Sequence, residues 1–211
     1  MENEQAKFIV IEGLDGTGKT TQIKRLAAYL KQQGRAVFTD AEPTSAPTGK
    51  LLRQILSGEI KSDEWATAAL FFADRVRHNT DENNGIKKHL ANGETVLLDR
   101  YYFSTFAYQG ANTDANWTMD LHYGCPQITR PDLVLFLTMS PEKCLARIRA
   151  GRSENDIEIY ENPEALTKVS DRFDTVFSLV KEKENVVYID ADGTPDEVFA
   201  RISAAVDTLW K

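Results

Sequence analysis

Near the start of the chain, Gly13-Leu14-Asp15-Gly16-Thr17-Gly18-Lys19-Thr20 sets two glycines around four residues and follows them with lysine and threonine. That spacing suits a nucleoside triphosphate. The glycines let backbone N–H groups converge on phosphate oxygens, Lys19 neutralises them, and Thr20 offers a hydroxyl to Mg²⁺. The apolar run Phe8-Ile9-Val10-Ile11 predicts a buried strand before the loop, and a helix is expected after it. The positive N-terminal end of that helix, with Thr21 in its first turn, would add to the cradle. A chain of this length shows the pattern by accident about one time in a hundred, and the flanking strand and helix lower that. Alone, the motif says only that a nucleotide binds.

A second group of chemically equipped residues ends the apolar run Thr95–Leu98, where Asp99-Arg100-Tyr101 emerge side by side. An aspartate at a buried strand end can hold the Mg²⁺ that bridges transferred phosphates, and Arg100 can grip a phosphate with two parallel hydrogen bonds. A strand-end ion pair without function is the plainer alternative.

These residues need a scaffold that brings two loops to one edge. Apolar runs recur at Phe8–Ile11, Ala36–Thr39, Thr95–Leu98, Leu133–Thr138 and Val186–Ile189, with helical periodicity over Thr20–Gln33, Ser62–Ala91, Pro141–Arg149, Pro163–Lys183 and Pro195–Trp210. Strands alternating with helices predict an α/β fold of three layers, a five-stranded parallel sheet flanked by helices. Pro141, Pro163 and Pro195 sit where first-turn prolines belong. The stretches Glu42–Gly49 and Ala150–Asn162 are expected to be mobile, and both can reach a ligand beyond the carboxyl ends of the strands.

At 211 residues one domain is expected over positions 1–211. A net charge of −7 argues against a surface that coats nucleic acid, so basic residues have to be judged locally. Cys125 and Cys144 lack CxxC spacing and read as reduced thiols. No apolar stretch approaches the roughly 18 residues of a membrane span, and a soluble cytoplasmic protein with no membrane partner is expected.

Taken in order and spacing, Gly13–Thr20, Glu42-Pro43, Phe71-Phe72-Ala73-Asp74-Arg75, Asp99-Arg100-Tyr101 and Ser104-Thr105-Phe106-Ala107-Tyr108-Gln109-Gly110 resemble the thymidylate kinase family, a branch of the P-loop nucleoside monophosphate kinases. The resemblance implies transfer of the γ-phosphate of ATP to thymidine monophosphate (dTMP) with Mg²⁺, in a homodimer. It implies ATP binding by Gly13, Leu14, Asp15, Gly16, Thr17, Gly18, Lys19, Thr20 and Thr21, together with Arg147 and Arg149. Thr20 and Asp99 would hold the metal, and Lys19, Arg100, Asp99 and Arg152 would act on the transferred phosphoryl. On the acceptor side it implies Asp15 at the 3′-hydroxyl, Phe72 stacked on thymine and Arg75 on its exocyclic oxygen. Thr105 and Gln109 would line the base pocket and Tyr108 would pack where a ribose 2′-hydroxyl would sit. Glu42, Arg100 and Tyr160 complete the acceptor set, and a mobile lid over about 147–161 would close over ATP.

Some of these positions have ordinary explanations. Helical periodicity alone puts Phe72 in the core, with Ala68, Ala69, Leu70 and Phe71 around it, and leaves His78 on the surface. The arginines at 147, 149 and 152 could be a solvated helix face. Many family members carry Arg directly before the Glu-Pro pair, whereas Ala41 stands here, so the acceptor phosphate falls to Arg100 or to another base such as Arg53. The role of 111–124 is open. Rival functions are a deoxynucleoside kinase, a relative that binds nucleotide without catalysis, and a guanine-nucleotide switch; the last lacks its Asn-Lys-x-Asp run.

Overall fold

The computed structural model describes residues 6–151 and 162–210. Five parallel strands, β1 (Phe8–Gly13), β2 (Val37–Ala41), β3 (Thr95–Asp99), β4 (Leu133–Thr138) and β5 (Val186–Asp190), lie in the order β2-β3-β1-β4-β5. The helices are α1 (Lys19–Gln32), α2 (Pro47–Leu56), α3 (Glu64–Thr80), α4 (Ile86–Ala91), α5 (Tyr102–Tyr108), α6 (Ala115–Tyr123), α7 (Pro141–Gly151), α8 (Pro163–Val180) and α9 (Pro195–Val206).

Because successive strand residues point to opposite faces, each continuous apolar run feeds two cores. Phe8, Val10, Val96, Leu98, Val134 and Phe136 pack against Phe103 of α5 and Phe173 and Phe177 of α8. Ile9, Ile11, Leu97, Leu133, Leu135 and Leu137 pack against Leu26 and Leu30 of α1 and Val198 and Ile202 of α9. The hydrogen-bonded neighbours β1 and β3 therefore send their chains to opposite faces, α1 to one and α5 to the other. The crevice this opens beyond their carboxyl ends is where an open α/β sheet binds ligands.

The structure corrects two local expectations and adds an element where none was assigned. The helix expected over Ser62–Ala91 is two, because Asp81 turns the chain by accepting from the backbone N–H groups of Asn83 and Asn84, and Gly85 then bonds back to the Asp81 carbonyl. The stretch Glu42–Gly49 is tied down, since Asp74 of α3 accepts from the Thr44 N–H at 2.8 Å and from the Thr44 and Thr48 hydroxyls at 2.7 and 2.6 Å. The segment 111–124 contains α6, started by Asp114 accepting from the N–H groups of Asn116 and Trp117. Of the lid, 147–151 belongs to α7 and 152–161 lies outside the described residues.

Candidate active site

Between the ends of β1 and β3 lies a cavity of about 430 Å³. Its floor is the loop after β1. Gly16 has φ +87° and Gly18 has φ +93°, a left-handed backbone that costs glycine nothing; a Cβ on Gly16 would stand 2.4 Å from the Cys144 carbonyl oxygen. Gly18 also starts α1 without any side-chain cap, which leaves the first N–H groups of the helix open to an anion. Thr17 is structural, its hydroxyl donating to the Leu14 carbonyl at 2.8 Å. Lys19 lies back across the loop, donating to the Gly13 and Leu14 carbonyls at 3.1 and 3.0 Å. Burial, then the nearby Arg100 charge, lowers the Lys19 pKa. An incoming phosphate would reverse that penalty by supplying an opposite charge.

Asp15 puts a carboxylate inside the phosphate loop. Its Oδ1 accepts from Arg100 at 2.5 Å and sits 3.6 Å from the Lys19 ammonium, so two cations claim it. Arg100 itself has φ +67°, a strained conformation for a residue with a Cβ. The fully buried Glu12 holds that turn, accepting from the N–H groups of Tyr101 and Ser104 and from the Ser104 hydroxyl, which in turn receives the Arg100 guanidinium at 2.9 Å. Burial raises the Glu12 pKa, with Arg100 and Ser104 opposing. Tyr108 lies under the Arg100 guanidinium at 5.4 Å. The Thr20 hydroxyl and an Asp99 carboxylate oxygen approach to 2.8 Å, both hard oxygen donors of the kind Mg²⁺ takes.

The opposite wall is a side-chain network. Arg75 of α3 is 1% exposed and donates through Nε to Glu42 at 2.7 Å, with Nη2 2.6 Å from the same carboxylate oxygen. Its Nη1 donates to the Thr105 hydroxyl at 3.2 Å and faces His122 Nε2 at 2.6 Å. The other Glu42 oxygen lies 3.1 Å from His78 Nδ1, and His78 Nε2 lies 3.3 Å from Asp40. The His78 pKa is pushed up to about 9, because burial, which disfavours its charge, is outweighed by its hydrogen bonds to Asp40 and Glu42. His78 is thus buried, contrary to the surface position expected for it: it reaches back to β2 and the loop that follows, which helical periodicity cannot show.

The cavity brings together Asp15, Gly16, Gly18, Lys19, Thr20, Thr21, Glu42, Arg75, Asp99, Arg100, Thr105, Tyr108, Gln109 and Arg147. Gly13 and Leu14 serve it through the carbonyls that hold Lys19. Phe72 is displaced from its expected place: Phe71, one turn before Arg75 on the same face, lines the cavity, while Phe72 packs edge-on against His122 at 5.3 Å. Arg149 lies on exposed helix surface away from the lining, and Arg152 and Tyr160 lie outside the described residues. Ala41 lines the cavity beside Arg53, which reaches from α2 to the Thr44 carbonyl at 2.5 Å. Arg53 therefore brings a positive charge to the part of the cavity where Ala41 carries none.

The profile described as Thymidylate kinase matches residues 11–202. The chain belongs to the thymidylate kinase family. A "Thymidylate kinase" of Caldicellulosiruptor saccharolyticus is 35% identical over 210 residues, covering 98% of each chain. One of Desulfotalea psychrophila is 39% identical over 177 residues, 83% of this chain and 84% of its own. A "Probable thymidylate kinase" of Methanosphaera stadtmanae is 36% identical over 196 residues, 90% and 92%.

Against that family background, sequence reasoning missed Glu12, Asp74, Phe71 and His122. Asp74 gave a signal, a carboxylate one turn after the apolar pair Leu70 and Phe71. His122 gave none, because its partner Arg75 is 47 positions away.

Proposed function

We propose that the chain transfers the γ-phosphoryl group of ATP to dTMP, giving ADP and thymidine diphosphate, in the cavity between β1 and β3. The observation that carries this is the meeting, in one cavity, of a phosphate-type loop and an arginine-bearing wall that also includes Phe71, with Arg100 and Asp15 joined between them. An oxygen of the acceptor phosphate forms the new bond to the γ-phosphorus as the bond to the β–γ bridging oxygen breaks and ADP leaves. The acceptor is already an anion, so no base is required; the protein contributes positioning and positive charge. Lys19 and Arg100 bracket the moving group. Arg53 and Arg100 receive the acceptor phosphate, Phe71 and Arg75 the base, Asp15 the sugar, and Tyr108 closes the space beside it. Arg147 covers the ATP side.

Thr20 and Asp99 would hold Mg²⁺, which when bound neutralises charge on the triphosphate. A cytoplasmic homodimer goes with this reading; support for the dimer comes from exposed Ile60 and Trp65, the latter leaning on Trp117 at 5.0 Å. Light scattering at twice 23.7 kDa checks it.

Competition between thymidine and dTMP tests the activity. ADP release dependent on dTMP is expected, and faster turnover of the unphosphorylated nucleoside would assign the cavity to a deoxynucleoside kinase instead.

A further inference from the structure

The guanidinium of Arg75 has five N–H donors. The Nε proton goes to Glu42, whose same carboxylate oxygen lies 2.6 Å from Nη2 as a charge contact, and the two Nη1 protons go to Thr105 and His122. Three are hydrogen-bonded inside the protein, which leaves an Nη2 proton for the cavity that Arg75 lines. The direction of that proton is set by whatever fixes the plane of the guanidinium, and the shortest of the Nη1 contacts, at 2.6 Å, is to His122 Nε2.

Arginine can only donate, so Nε2 of His122 must accept, and the ring proton must be on Nδ1. Nδ1 lies 2.7 Å from the Thr118 carbonyl one turn earlier in α6, a partner that accepts it. The ring is 2% exposed and boxed edge-on by Phe72 and Phe106, both at 5.3 Å between centroids. Burial, then the Arg75 charge, drives the His122 pKa down to about 3, so the imidazole stays neutral. A carboxylate in the same place would give Arg75 a second counter-ion and weaken its pull on a ligand. A neutral acceptor orients the guanidinium without cancelling its charge.

We propose that His122 is a positioning residue for acceptor recognition: by taking one Nη1 proton of Arg75 it aims the remaining Nη2 proton at a base that presents a carbonyl oxygen, and thereby disfavours a base that presents an amino group. This rests on the assignment of Arg75 to the base. It extends that assignment to α6, in the segment whose role the sequence left open.

The test compares wild type with His122→Gln, His122→Asn and His122→Ala, measuring kcat and KM for dTMP, for deoxycytidine monophosphate (dCMP) and for ATP. Gln can place an oxygen near the Nε2 position and Asn cannot. The expected result is a KM for dTMP raised at least tenfold in the Ala and Asn variants, kcat within about threefold, and ATP KM unchanged. The kcat/KM preference for dTMP over dCMP should fall tenfold or more, with substantial recovery in the Gln variant. Equal dTMP KM and equal preference in all four proteins would overturn the proposal. So would ¹H–¹⁵N correlation of the wild-type imidazoles at pH 7 showing His122 protonated on Nε2, a measurement that needs no variant to fold. Wild type that ignores dTMP altogether would instead refute the proposed activity, so the two failures are distinguishable.

Discussion

The phosphate floor of the cavity comes from one continuous stretch, Gly13–Thr20, whose working groups are largely backbone N–H and carbonyl. The base wall is assembled from side chains of separate elements: Glu42 after β2, Arg75 and His78 on α3, Thr105 on α5 and His122 on α6. The floor is held by glycine geometry and a helix terminus, and a side chain added at Gly13 or Gly16 would meet backbone carbonyl oxygen at 2.7 or 2.4 Å. The wall is held by the alternating buried charges of His78, Glu42 and Arg75, with the part-exposed Asp40 at its edge, each depending on the next. Removing one partner of such a set strands a charge in a dry interior. Damage to the floor should therefore appear as lost chemistry, and damage to the wall as lost stability and lost acceptor affinity.

The largest effect is expected at the floor. Lys19→Ala removes the ammonium proposed to act on the transferred group and should lower kcat by about 10³-fold or more, while the melting temperature measured by circular dichroism stays within a few degrees. A matching loss of stability would erase the contrast. At the wall, Glu42→Gln leaves Arg75 and His78 without their shared carboxylate. It should cost about 3–5 kcal/mol in denaturant unfolding and raise the dTMP KM more than tenfold, with ATP KM little changed.

The two buried histidines sharpen the contrast through pH. The folded pKa of His78, about 9, lies above the ordinary 6.5, so its contribution is complete below pH 6.5 and is lost as pH rises toward 9. The folded pKa of His122, about 3, lies below 6.5; the unfolded chain takes up that proton first, and stability falls as pH drops from 6.5 toward 3. The His78 limb is worth on the order of 3 kcal/mol and the His122 limb on the order of 5 kcal/mol. Urea unfolding across pH 4–9 should show a shallower alkaline limb in His78→Gln and a shallower acid limb in His122→Gln, and unchanged limbs would contradict the assigned charges. The smallest effect belongs to Asp74→Asn, which loosens the tether on Thr44 and Thr48. It should cost about 1–3 kcal/mol and raise the dTMP KM a few-fold, read by steady-state kinetics.

The same contrast explains what the sequence could show. Strands Leu133–Thr138 and the phosphate loop are local patterns, and each was legible within a few residues of its observed ends. Helix α5 was not, because Tyr102, Phe103, Phe106 and Tyr108 are all buried and an all-round apolar helix has no periodicity to detect. Phe71 and Phe72 are adjacent on one apolar helix, and only its packing decides which faces the cavity. His78 and His122 act on partners 36 and 47 positions away, so their burial and charge belong to the tertiary structure.

The central claim is that floor and wall serve one transfer from ATP to a thymine monophosphate. Chromatographic quantification of ADP and nucleotide products, with ATP, Mg²⁺ and a panel of dTMP, dCMP, dAMP and dGMP, tests it most directly. The account predicts one thymidine diphosphate formed per ADP with dTMP, and kcat/KM for the other three lower by at least a hundredfold. ADP release independent of any monophosphate, or equal use of dCMP, would contradict it.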